Sequence, residues 1–197
     1  MKYGNLTLGQ IEAGINKIGG EDAFMRLLAG ELNVVPAKPT DPKRLLELVT
    51  TASVAAIESF KSSENFKEGK KGPVQIYSIG DNFKKHFGRK EEGASEAIEL
   101  KIHKLLERSL DAPIITELAD KFEITLGQFF SLIQKQGKGE AGVLLTNGYA
   151  NIAYIRDDEG ILWAVRAGWD AGSGWYVEAS SVGDPFRWVD GGLVLSR

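Results

Sequence analysis

The chain has 197 residues, 43% apolar and 26% charged, with a formal net charge of −3 and no cysteine. A chain of this length buries enough surface to hold a core without metal or disulfide, and the lack of cysteine excludes disulfides, thiol nucleophiles, zinc ribbons and iron–sulfur clusters. The small negative charge argues against a protein that coats nucleic acid over its whole surface. No apolar run approaches the roughly 20 residues that cross a bilayer, and no apolar signal segment follows the first residues. A cytoplasmic, membrane-free protein is the expectation.

Thr7, Leu8, Gly9 and Gln10 have the spacing of a capping box, and Leu8, Ile11, Ile15 and Ile18 then recur at helical intervals. Gly19 and Gly20 end that helix, and Glu21 and Asp22 favour the start of a second one carrying Phe24, Leu27 and Leu28. Pro36 and Pro39 mark a linker. Asp41 followed by Pro42 is a helix start, and Leu45, Leu46, Val49, Val54, Ile57 and Phe60 predict a long helix to residue 60.

Residues 61–72 are polar and rich in Lys and Gly, which predicts a mobile loop. Residues 74–79 alternate like a strand, and Asp81 caps a short helix through Phe87. Ser95 is read as capping a helix to residue 110, with Ile98, Ile102, Leu105 and Leu106 inward. Asp111, Ala112 and Pro113 break it and start another, and a last helix runs from Thr125 to Gly137. The segment 125–137 echoes 7–19, since the Thr-Leu-Gly-Gln start and the glycine end recur 118 residues later. Two capped amphipathic helices account for this better than a duplication does, since nothing between the two copies repeats.

The last third reads differently. Residues 141–197 hold all four tryptophans, three of the five tyrosines and no lysine. Residues 143–145 lead into Asn147 and Gly148, a hairpin signal, and 149–156 return. The turns at 157–160, 170–174 and 190–192 separate further strands over 161–169, 175–182 and 193–195. The expected fold is α+β: a mostly helical N-terminal two-thirds packed on a C-terminal antiparallel β-meander of about five strands. Residues 1–40 form a helix pair and linker, and 41–197 form helices plus sheet, together one compact unit. Counting across the turns sets Tyr154 opposite Trp163 and Trp169 opposite Trp175. Alternation places Trp163, Val165, Val177 and Ala179 on one side and Arg166, Tyr176 and Glu178 on the other. The tryptophan side is expected to be core.

The opening Thr7 to Gln10 with Gly19, Gly20 and Glu21, the segment from Leu144 to Ile152, and the ending Leu195, Ser196 and Arg197 resemble a set of uncharacterised bacterial proteins. That resemblance implies no activity and assigns no functional residue.

Two histidines 17 residues apart, His86 and His103, do not make a metal-ligand pattern. No G-x-S-x-G turn and no phosphate-binding loop is present. The glycines near 168–174 join two strands and do not open a helix. The acids at 157–159 form a charged turn without calcium-loop spacing. No metal site and no cofactor is expected.

From Lys61 to Lys90, eight cations face three acids. Lys84, Lys85, His86, Arg89 and Lys90, interleaved with Phe83 and Phe87, are candidate phosphate or nucleic-acid contacts. A solvated Lys-rich loop reads the same way. Arg166, Tyr176 and Glu178 are the candidate ligand face of the sheet. The leading functional expectation is a non-catalytic binding or interaction module whose partner the sequence leaves open, a protein ranking ahead of nucleic acid. A nucleic-acid-binding accessory protein using residues 61–90 comes second. An enzyme with a small-molecule site on the C-terminal sheet is the third reading.

Overall fold

The structure is a computed structural model that describes residues 7–33, 44–69 and 72–197. The linker at Pro36 and Pro39, the helix start at Asp41 and Pro42, and Lys70 and Lys71 lie outside the described residues. The chain divides into two compact units, Met1–Lys43 and Arg44–Arg197.

The first unit contains α1 (Leu8–Lys17) and α2 (Glu21–Leu28). Thr7 caps α1 in both directions: its hydroxyl accepts from the Gln10 N–H at 3.3 Å, and the Gln10 side chain accepts from the Thr7 N–H at 2.9 Å. The connection runs through Gly19 and Gly20 at φ of +108° and +88°, where a side chain would be strained. Neither helix has a buried residue.

The second unit contains nine strands: β1 (Leu46–Val54), β2 (Phe60–Lys61), β3 (Ile76–Ile79), β4 (Glu91–Glu92), β5 (Ile98–Leu105), β6 (Asn151–Arg156), β7 (Leu162–Asp170), β8 (Gly174–Ser181) and β9 (Leu193–Ser196). Seven of them form a mixed sheet in the order β1-β5-β9-β6-β7-β8-β3, and β2 and β4 form a separate ribbon. Its helices are short: α3 (Ser62–Asn65), α4 (Asp81–Phe87), α5 (Asp111–Leu118) and α6 (Leu126–Lys135).

The expected helical N-terminal two-thirds is therefore wrong, and so is the purely antiparallel meander. The long helix expected to residue 60 is β1, and the helix expected over 95–110 is β5; the two pair antiparallel from Leu46 with Leu105 to Val54 with Ile98. In β5, Ile98, Ile102 and Leu105 happen to fit helical spacing. The physical pattern is period two: Leu100 and Ile102 are fully buried while Glu99 and Lys101 are exposed. Val49, Thr50, Thr51 and Val54 give β1 the β-branched content of a strand.

Only β6, β7 and β8 form a meander. β9 turns back, pairing antiparallel with β5 and parallel with β6, and β3 joins β8 in parallel. The strand expected over 143–145 does not form, because two side-chain amides take the place of a ladder. Gln136 bonds both the N–H and the C=O of Leu144, and Asn151 does the same for Leu145.

Core forms on both faces of the sheet. On the first, Phe83 and Phe87 of α4 and Phe129 and Ile133 of α6 pack with Leu100, Val165, Trp175 and Val177. At the start of α6 the amides of Leu126 and Gly127 donate to the carboxylate of Glu92 at 2.9 and 2.8 Å, an acid suited to the positive helix end. Within the polar segment, Phe66 turns inward, and its ring meets those of Phe60, Phe83 and Phe130. On the second face, Ile114 and Leu118 of α5, together with Trp188, pack with Leu46, Leu105, Ile152, Tyr154 and Val194.

Trp163 lies on the first face as expected, its ring 4.1 Å from that of His86 in α4. Trp169 pairs with Trp175 as counted. Tyr154 does not oppose Trp163, however; Ile155 does. The turn is one residue longer than counted, closing with the Asp157 N–H on the Ile161 carbonyl at 2.9 Å. A slip of one residue reverses the side a strand residue faces relative to its partner, so Tyr154 packs in the core of the second face.

Candidate functional site

The second face is covered by α5 and Trp188 near β6, β9 and β5, while polar and aromatic side chains remain accessible toward β7, β8 and β3. The register of the β7–β8 hairpin pairs Arg166 with Glu178 and Gly168 with Tyr176. The structure thus brings together the three residues read as a ligand face. Arg166 Nε donates to Glu178 Oε2 at 2.8 Å, and its Nη2 donates to the same oxygen. Its guanidinium carbon lies 5.5 Å from the centre of the Tyr176 ring, within cation–π range.

Gly168 is what lets that ring lie across β7. A Cβ built on it would fall 2.3 Å from the ring carbon that bears the hydroxyl and from the hydroxyl oxygen itself. Tyr77 on β3 meets Tyr176 edge-on at 6.2 Å.

Beside Arg166 and Tyr176 is a concavity of about 420 Å³. Ala150, Ile152 and Trp188 form its apolar interior, and Tyr149, Phe186 and Val189 edge it. These three edge residues are 45%, 51% and 48% exposed. Gly148 at φ +89° turns the chain at this edge, and the Asn147 side chain accepts the Tyr149 N–H at 3.3 Å. Phe186 and Trp188 stand nearly perpendicular, with ring centres 5.4 Å apart.

Behind the concavity is a buried carboxylate. Asp111 Oδ1 accepts from Trp188 Nε1 at 2.6 Å and from the Tyr154 hydroxyl at 2.7 Å. Burial pushes the Asp111 carboxyl above its ordinary range, against the pull of those two donors. Burial and the neighbouring Asp111 carboxylate raise the Tyr154 hydroxyl, which remains a donor. The sequence reading did not find Asp111, Trp188, Tyr149 or Phe186 as neighbours. The 182–190 segment that brings Trp188 over the sheet carries no periodic pattern, so its placement had no local signal.

The basic candidates are arranged differently. Lys84 pairs with Glu68 at 2.9 Å, His86 Nδ1 lies 3.3 Å from Asp157 Oδ2, and Lys90 pairs with Asp158 at 3.4 Å. That leaves Lys85 and Arg89 of the five without an acidic partner among the described residues. Phe83 and Phe87, read as interleaved aromatics, are 1% and 0% exposed and cannot stack on a base. His103 is half-buried on β5, 3.0 Å from the Ser196 hydroxyl; burial, with Lys101 nearby, pulls its pKa down.

The acidic turn has a structural task. Asp157 is 5% exposed and accepts from the N–H groups of Glu159 and Ile161 and from Trp163 Nε1, at 3.0, 2.9 and 2.9 Å. Burial pushes its pKa up, but the hydrogen bonds from Trp163, Ile161, Glu159 and His86 outweigh that and hold it below the ordinary carboxylate range.

Among the described residues, no helix is long and apolar enough to cross a membrane. No family model, no curated protein and no solved structure matches this chain.

Proposed function

We propose that this chain is a non-catalytic binding module whose ligand occupies the concavity beside Arg166 on the second face of the sheet. One observation carries the reading. Tyr149, Phe186 and Val189, each close to half exposed, gather around one depression with an apolar interior. Scattered exposed apolar residues are ordinary, whereas a cluster edging a concavity is the usual form of a ligand site.

Arg166, Tyr176 and Glu178 supply the few polar groups such a site uses for orientation. The nucleic-acid reading has less support, since Lys84 and Lys90 pair with Glu68 and Asp158 and the His86 ring is turned to Asp157. The enzyme reading would use the same face, where Arg166 and Glu178 satisfy each other as an ion pair. A cytoplasmic setting belongs to this proposal and rests on the cysteine-free composition.

An uncharged aromatic probe tests the site. Titration of the full chain with benzyl alcohol, followed by amide and indole NMR shifts, should move Gly148, Tyr149 and the Trp188 indole together and saturably. The double change Tyr149→Ser and Phe186→Ser should remove those shifts. Shifts that never saturate, or that centre elsewhere, reject the site.

A further inference from the structure

Resting on that reading of the concavity, we infer that its ligand is a small carboxylic acid with a flat apolar body, and that Glu178 is the internal competitor for the ligand's carboxylate. The guanidinium of Arg166 has five N–H donors in a planar fork that matches a carboxylate. Two nitrogens, Nε and Nη2, are turned to the single oxygen Oε2 of Glu178. Nη1 makes no hydrogen bond among the described residues. Arg166 lines the concavity, and Glu178 does not.

The side chain of Glu178 is 43% exposed and that of Arg166 is 28% exposed, so the acid sits on the wetter side of the pair. It shows the chemistry that the guanidinium accepts. Nη1 is the nitrogen of the fork that Glu178 leaves for a second carboxylate. The Tyr176 hydroxyl is a second donor within the same lining; its contact with the Gly148 carbonyl is 3.5 Å long and easily surrendered.

The remainder of the lining selects the body of the ligand. Trp188, Phe186 and Tyr149 present rings, and Ile152 and Ala150 are apolar. A cationic ligand would find the aromatic corner but would face the arginine. A neutral one would offer the guanidinium no charge to pair with. A carboxylate on a flat apolar body matches both halves. The volume of about 420 Å³ suits a small molecule.

Glu178 competes in two ways: it occupies part of the fork, and its charge repels the incoming acid. Removing its charge therefore strengthens binding, the reverse of what deleting a direct contact does.

Three probes of one shape test this: 3-phenylpropionate, its primary amide, and 3-phenylpropylamine. Each is titrated into the full chain and followed by NMR shifts of the Gly148 amide and the Trp188 indole. The expected order is the acid first, then the amide, then the amine. Glu178→Gln should tighten binding of the acid by about tenfold, and Arg166→Gln should weaken it by about tenfold, the scale of one charge-assisted hydrogen bond. Both changes should affect binding of the amide far less than that of the acid. Tyr176→Phe keeps the ring over Gly168 and removes only the hydroxyl, so it should weaken the acid selectively.

Equal binding of all three probes, or preference for the amine, overturns the carboxylate inference; so does tightening by Glu178→Gln that extends equally to the amide. If benzyl alcohol still binds in those cases, the concavity remains a binding site and only its ligand class was misassigned. If none of the probes, benzyl alcohol included, moves these signals, both readings fail.

Discussion

Asp111 and Asp157 are buried carboxyls whose surroundings shift them in opposite directions. Asp111 is raised by burial, so the folded state favours its protonated form. Its sign follows from linkage: stability is fullest below the ordinary carboxyl pKa and is lost as pH rises through the raised value. Asp157 is lowered overall by its four donors, despite burial. Its contribution is present above the ordinary pKa and is lost as pH falls through the depressed one. Urea unfolding at a series of pH values separates them. Relative to Asp111→Asn, the wild-type chain should become progressively less stable from about pH 4 upward. Relative to Asp157→Asn, its advantage should be full near neutrality and shrink toward acid. Parallel pH curves for wild type and either variant would contradict the assignment for that residue.

At the element scale, the β6–β7 hairpin is the part whose register matters most. Its turn closes one residue later than the sequence count, and Asp157 fixes that closure by accepting the amides of Glu159 and Ile161. The same carboxylate takes the Trp163 indole N–H, so one acid sets both the turn and the rotamer of the large side chain beneath α4. Trp163→Ala should cost about 3–5 kcal/mol, the range for emptying a buried large aromatic site, measured by chemical denaturation. A cost within the ordinary scatter of surface substitutions, about 0.5 kcal/mol, would mean that the tryptophan is not core. The neighbouring β7–β8 hairpin was legible in full: the glycine-rich turn gave the pairing of Trp169 with Trp175, and alternation then put Arg166, Tyr176 and Glu178 on one side. Turn length is the weak point of such counting, because one extra residue is invisible in composition and reverses an entire side.

For the whole molecule, the sheet and both of its cores belong to residues 44–197. All four tryptophans lie there as well. Residues 44–197 expressed alone should unfold in one cooperative transition and keep the near-ultraviolet circular dichroism of packed tryptophans. A gradual melt without that signal would show that the first 43 residues are required for the fold. The order β1-β5-β9-β6-β7-β8-β3 places the last strand inside the sheet and two early ones, β1 and β3, at its edges. The concavity on the second face follows from this order: β7 and β8 carry Arg166 and Tyr176, while the 182–190 segment on its way to β9 contributes Phe186 and Trp188.

Local chemistry alone determined the capping boxes at Thr7 and Thr125, the helices they start, the β7–β8 pairing and the two-sided split of its residues. Each depends on contacts within a few residues, or across a tight turn, which spacing encodes directly. Tertiary structure decided that 46–54 and 98–105 are strands. Ile98 and Ile102, four residues apart, fit a helical spacing and an extended one alike, and pairing of one segment against the other, with Leu100 and Ile102 buried, selects the extended form. It also decided that Gln136 and Asn151 replace a strand partner for Leu144 and Leu145. The same holds for Asp111, brought beneath Trp188 from 77 positions earlier in the chain. Such contacts join segments far apart in sequence, and their free energy appears only once the sheet order has brought them together.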